Sequence, residues 1–134
     1  MEAKRLLRTR LLAARAARPP AEIAAAGAAL AAHAAAAWRG RTRVAGFAAV
    51  GTEPPTRPLL DVLRESGGQV LLPVVAGQSL RWAPYEGWDA LRPGQWDLLE
   101  PAGTLLPPDA LVGIDVVLAP ALAVDLHGHR LGRG

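Results

Sequence analysis

A three-layer α/β/α fold, with a mostly parallel sheet and an N-terminal helical pair, is what this sequence predicts. Three observations carry it. The stretch from Met1 to Trp38 reads as two helices broken at Pro19-Pro20. Val44 to Val50 and Val70 to Pro73 are apolar runs joined by short loops and a helix-patterned segment, the signature of a βαβ unit, and such crossovers are almost always right-handed and parallel. Asp115 to Ala119 supplies a third apolar run. The chain has 134 residues, no repeat and no compositional break, so residues 1–134 read as one domain.

Residues 2–17 hold neither proline nor glycine. At 100° per residue Leu7, Leu11 and Ala14 form one apolar stripe, and Lys4, Arg8 and Arg15 fall together beside it. Pro19-Pro20 ends this helix. Pro20 and Glu22 then suit the first turn of a second, over about residues 21–38, which Arg39-Gly40 closes. Val44 to Val50 is a candidate buried strand with Gly46 inside it. Gly51-Thr-Glu-Pro-Pro-Thr56 is a loop, and Thr56 is placed to cap a helix over about 57–66 that carries Leu59, Leu60 and Leu63. Gly67-Gly68 stops that helix, and Val70 to Pro73 is the second buried strand. Ser79 to Tyr85 alternates, as an edge or antiparallel strand does. Residues 86–110, rich in proline and glycine, read as an ordered loop; Trp82, Trp88 and Trp96 gather around here with the single tyrosine, Tyr85. Asp115 to Ala119 is the third core strand.

Composition narrows the chemistry. At 51% hydrophobic the chain is globular. It has no cysteine, which excludes disulfides, thiolate metal sites and a cysteine nucleophile. No apolar run reaches the length of a membrane span. The formal charge is only +3, yet six basic residues (Lys4, Arg5, Arg8, Arg10, Arg15 and Arg18) crowd the N-terminus. Such a segment suits phosphate, nucleic acid or an anionic membrane, or an organelle transit peptide, although it lacks serine. The two serines, Ser66 and Ser79, sit in no Gly-x-Ser-x-Gly elbow, and there is no Walker A or dinucleotide glycine motif. Asp125, His127 and His129 are spaced closely enough for a metal, but they lie in a turn-like segment with no further ligand cluster. For Trp38, Trp82 and Trp88 packing is the favoured role.

The richest segment is Arg130-Leu-Gly-Arg-Gly134, which follows the buried-strand pattern of Asp115 to Asp125. Alternating glycine and arginine after a strand is a way to cradle phosphate: glycine lets backbone N–H groups converge, and arginine adds fixed charge. Together with the Lys4-x-x-x-Arg8 helix, the Glu53-Pro-Pro-Thr-x-Pro-Leu-Leu60 loop and helix, and Pro120-Ala-Leu-Ala-Val-Asp125, this order of segments resembles the 5-formyltetrahydrofolate cyclo-ligase family. Two positions depart from the family's usual Pro-Gly-Leu-Ala-Phe-Asp: Ala121 stands for the glycine and Val124 for the aromatic.

The resemblance implies an ATP- and Mg²⁺-dependent ligase of one-carbon metabolism that closes 5-formyltetrahydrofolate to 5,10-methenyltetrahydrofolate, cytoplasmic and monomeric. ATP phosphorylates the formyl oxygen, N10 attacks the activated carbon, and phosphate leaves. It implies nucleotide contacts from Lys4, Arg8, Arg130, Leu131, Gly132, Arg133 and Gly134, with Arg133 the charge that meets the transferred phosphoryl group. It implies substrate contacts from Ala48, Glu53 and Trp96. The family continues past this loop with an aspartate expected to bind Mg²⁺, so the resemblance implies a domain incomplete at its C-terminus and names no metal ligand here. A non-catalytic module that binds folate or nucleotide is the alternative from a different class, and a nucleic-acid binder using the basic N-terminus is a third.

Overall fold

The structure, a computed structural model, describes residues 1–38, 40–41 and 43–132. Two helices open it, α1 (Glu2–Ala16) and α2 (Pro20–Ala37). Pro19 is extended and Pro20 begins α2, where a missing N–H costs nothing. The elements that follow are β1 (Arg43–Ala45), α3 (Arg57–Glu65), β2 (Gln69–Ala76) and β3 (Ser79–Pro84), then β4 (Leu91–Pro93), β5 (Leu99–Pro101) and β6 (Val116–Val117), and last β7 (Ala123–Val124) and β8 (Arg130–Leu131).

The main sheet runs in the order β3-β2-β1-β6. β1 lies between two parallel partners, with Val44 opposite Val70 on one side and Val116 on the other. β3 closes the far edge antiparallel to β2, with Leu72 opposite Ala83. The chain therefore forms an α/β fold whose sheet is mostly parallel around β1.

Strand alternation decides what each face buries. Val44, Val70 and Leu72 meet Leu59, Leu60 and Leu63 of α3 and Ala31 and Ala34 of α2 in one core. α2 turns Gly27, Ala31 and Ala34 inward, spaced by four and three as one helical face requires. Leu59, Leu60 and Leu72 are wholly buried, each contributing roughly 1.5–3 kcal/mol over an exposed position. At the rim of this core the Tyr85 hydroxyl donates to Asp61 Oδ1 on α3, and burial, then the Asp61 carboxylate, push the phenol pKa well above its ordinary value.

Four expectations are revised. The apolar run from Val44 to Val50 is strand only through Ala45. Gly46 N–H still donates to Leu71 O, but the next rung of the ladder would need an N–H from Pro73, which has none. Beyond that point β1 peels away. The neighbouring donor on the same edge of β2, Val75 N–H, is taken instead by the Glu100 carboxylate at 2.7 Å. Thr56 does not cap α3 through its side chain. Its hydroxyl donates to Phe47 O and accepts from Ala49 N–H, so it ties down the outgoing strand. Residues 86–110 are not all loop, because β4 and β5 pair as a short hairpin with one 3-10 turn before it and another at its tip. The third core strand shrinks to Val116 and Val117, and it lies at the edge of the described sheet with Val117 60% exposed.

Candidate functional site

Open α/β sheets bind ligands beyond the carboxyl ends of their strands, where neighbouring connections depart to opposite sides. Here β1 leads through α3 to β2, while β6 lies on its other flank and runs on to the β7–β8 hairpin. The segments leaving β1 and β6 hold most of the residues singled out above, and α1 reaches both.

Two arginines make that connection. Arg8 donates to Gly132 O at 2.6 Å, joining α1 to the glycine-rich end of β8. Arg15 Nε donates to Thr52 Oγ1 at 3.1 Å, joining the same helix to the loop after β1. Arg8 and Arg15 are seven residues apart, two turns, so they share a face. Lys4 lies one turn before Arg8; it is exposed and makes no hydrogen bond or ion pair with another described residue. α1 buries none of its residues, so these polar contacts fix its position more than packing does.

Glu53 stands beside Thr52 in a tight turn. Its Oε1 accepts from Val50 N–H at 2.9 Å and its own N–H donates to Val50 O, while Gly51 takes the positive φ of 59° that lets the chain reverse. Glu53 is half-buried, and its second oxygen makes no hydrogen bond with a described residue. Five residues earlier, Ala48 is buried at 8% within the core cluster.

On the other flank, Arg130 is exposed and donates to Pro120 O at 2.6 Å, folding its guanidinium over Gly132. A Cβ on Gly132 would stand 3.0 Å from that guanidinium and 3.4 Å from Pro120 O. Leu131 pairs with Ala123, and its carbonyl accepts from Leu122 N–H. Arg133 and Gly134 lie outside the described residues.

Trp96 sits apart from these contacts, at the tip of the β4–β5 hairpin. It is 69% exposed with φ 57° and ψ 34°, and Asp97 follows with φ 58°. Two consecutive non-glycine residues in the left-handed region cost roughly 1–2 kcal/mol each. The hairpin is braced at its base, where Glu100 bonds Val75 N–H and lies against Gly94.

The Asp125, His127 and His129 group forms the turn of the β7–β8 hairpin. Asp125 Oδ1 accepts from both His127 N–H and His129 N–H, and Oδ2 lies 2.8 Å from His129 Nδ1. These bonds, the His129 side chain first, hold the Asp125 carboxyl below its ordinary pKa. The carboxylate is thus committed to the turn, and among the described residues no group of three or more histidines and acids is placed to hold a metal.

Sequence reasoning placed Arg15 on the stripe of Lys4 and Arg8 but gave it no role in the site, and it missed the Thr52 contact. Only the course of the chain after β1 shows that α1 passes this loop.

The comparisons with known proteins agree on one relationship. The model of the 5-formyltetrahydrofolate cyclo-ligase family matches residues 1–134. A 5-formyltetrahydrofolate cyclo-ligase from Mycolicibacterium smegmatis is 43% identical over 100 residues, covering 71% of this chain and 51% of the relative. The NMR structure of 5,10-methenyltetrahydrofolate synthetase from Aquifex aeolicus superposes with a TM-score of 0.82 at 23% identity, covering 98% of this chain and 67% of that one. The chain spans about half the length of the curated relative it matches. It belongs to the 5-formyltetrahydrofolate cyclo-ligase family.

Proposed function

We propose that this protein performs the ATP-dependent cyclisation of 5-formyltetrahydrofolate to 5,10-methenyltetrahydrofolate. The observation that carries the reading is the convergence of α1, the Thr52-Glu53 turn and the strand end at Gly132 through the Arg8 and Arg15 hydrogen bonds. One helix thus touches both the loop that follows β1 and the end of β8, far apart in sequence, which supports a ligand site along α1 at the carboxyl ends of the strands.

In this reading Lys4, Arg8 and Arg130 hold the phosphates of ATP, with Leu131, Gly132 and Gly134 giving backbone room. Arg133 meets the γ-phosphoryl group as it transfers. The formyl oxygen attacks γ-phosphorus, the bond to the β-bridging oxygen breaks, and ADP leaves. N10 then attacks the activated carbon and loses its proton, and the C–O bond breaks with release of phosphate. Glu53 accepts hydrogen bonds from the folate through its uncommitted oxygen, Ala48 lies beneath, and Trp96 offers an aromatic face. Fixed charge aimed at the transferring group acts most strongly in the transition state, so Arg133→Ala lowers turnover more than folate affinity.

Mg²⁺ at such sites is usually held by one or two carboxylates together with substrate phosphates, and among the described residues no group of three or more histidines and acids is placed to hold a metal by itself. No step is assigned to it. No helix among the described residues is long and apolar enough to cross a membrane. A cytoplasmic, monomeric protein is the setting this reading expects.

The test is absorbance detection of methenyl product from 5-formyltetrahydrofolate, ATP and the 134-residue chain. The rival reading is a module that binds folate or nucleotide without chemistry. Binding of both ligands with no product supports that module, and product formation supports the ligase.

A further inference from the structure

We infer that Gly27, in the middle of α2, is a positioning residue that sets the height of the Glu53 loop above the sheet. Glycine is a poor choice inside a helix, second only to proline in cost, and the rest of α2 is dominated by alanine, the best helix former. The exception has a specific cause. A Cβ built on Gly27 would lie 2.9 Å from Pro55 O, 3.0 Å from Pro55 Cβ and 3.2 Å from Pro55 Cδ. One of those atoms is backbone and the other two belong to a rigid ring, so no side chain can swing aside. Gly27 is buried, and it is the point where α2 comes down on the loop.

From the opposite side the same loop is pinned by Thr56, 1% exposed, whose hydroxyl bonds both Phe47 O and Ala49 N–H. Pro55 is thus held between α2 and the outgoing strand. Pro54 and Pro55 stiffen the link from that clamp to Glu53, two residues away. A methyl group at position 27 must push Pro55 outward by several tenths of an ångström, and the displacement passes to Glu53. The Val50–Glu53 hydrogen bond is the local gauge of it. This inference rests on reading Glu53 as a folate contact, and it adds to that reading how the contact is held at its height.

The experiment uses the 134-residue chain and three substitutions, Gly27→Ala, Thr56→Val and Thr56→Ser. Amide shifts in ¹H–¹⁵N spectra read the loop without any ligand. Gly27→Ala is expected to move Val50 and Glu53 while leaving Gly132 in place. Calorimetry with 5-formyltetrahydrofolate and, separately, ADP then reads the site. The expected result is folate affinity reduced about threefold to tenfold with ADP affinity unchanged within about twofold, since misplacement near 1 Å costs up to ~10²-fold and this displacement is a fraction of that. Thr56→Val should give the same selective loss and Thr56→Ser should restore wild-type binding. Unmoved Val50 and Glu53 amides in Gly27→Ala overturn the inference, as does equal loss of both ligands, the mark of general damage. Should Gly27→Ala not fold, Pro55→Gly, which removes the ring atoms that Gly27 faces, decides by the same criteria. Wild-type protein that fails to bind folate, or binds it equally well as Glu53→Ala, sinks the folate reading of Glu53, while the amide shifts still judge Gly27.

Discussion

Thr56 carries more of the site than its size implies. It is the only polar residue among the described ones that is buried, and both hydrogen-bonding groups it satisfies belong to the strand leaving the sheet. Removing the hydroxyl leaves a part-buried N–H and C=O without this partner, which costs about 1–3 kcal/mol. Thr56→Val should lower the urea midpoint accordingly, and Thr56→Ser should stay close to wild type. Asp125 makes a prediction about pH. Its folded-state pKa lies below the unfolded value, so the stability it adds is present above the unfolded pKa and is lost as pH falls through the folded one. The β7–β8 turn should therefore hold at neutral pH and loosen only on acidification below 3.8, the carboxyl's ordinary value. The His127 and His129 amide shifts should follow that titration, and Asp125→Asn should abolish it.

Whole elements obey the same balance of contacts. A free helix of the 15 residues in α1 is marginal in water, and α1 buries none of them. The double variant Arg8→Ala/Arg15→Ala should therefore speed hydrogen exchange throughout α1 while leaving α3 protected. Exchange in α1 unchanged by the double variant would show that packing alone holds it. The β4–β5 hairpin depends similarly on Glu100: Glu100→Ala should loosen the tip and change Trp96 fluorescence, whereas Glu100→Gln keeps an acceptor for Val75 N–H. Much of this architecture was legible in the sequence. Pro19-Pro20 and the Leu59, Leu60, Leu63 spacing placed the helices, and alternation placed β3 as an antiparallel edge. The end of β1 was not legible, because it depends on Pro73 in a different strand. The hairpin within 86–110 was hidden because strands of three residues are too short to show a period. The resemblance supplied candidate residues for the site, but nothing local in the sequence reveals that Arg15 meets Thr52.

Across the whole molecule, β6 leaves one side of the described sheet as an edge, and its own Val117 is 60% exposed. Exposed apolar edges template association. Val117→Glu should reduce concentration-dependent light scattering at a cost within about 0.5 kcal/mol of stability, as is usual for surface changes. The bond from Arg8 to Gly132 spans 124 positions of chain. Contacts so distant in sequence close late, because the entropy of the loop must be met before they contribute anything. On a ribosome α1 is made first and waits for its partner carbonyl until nearly the whole of the described chain has emerged. Until then its arginines are exposed with no β8 to meet, and the βαβ unit can be complete while the contact between α1 and the end of β8 is still unformed. The order of synthesis thus separates a nascent chain whose βαβ unit is folded from one whose two ends have met.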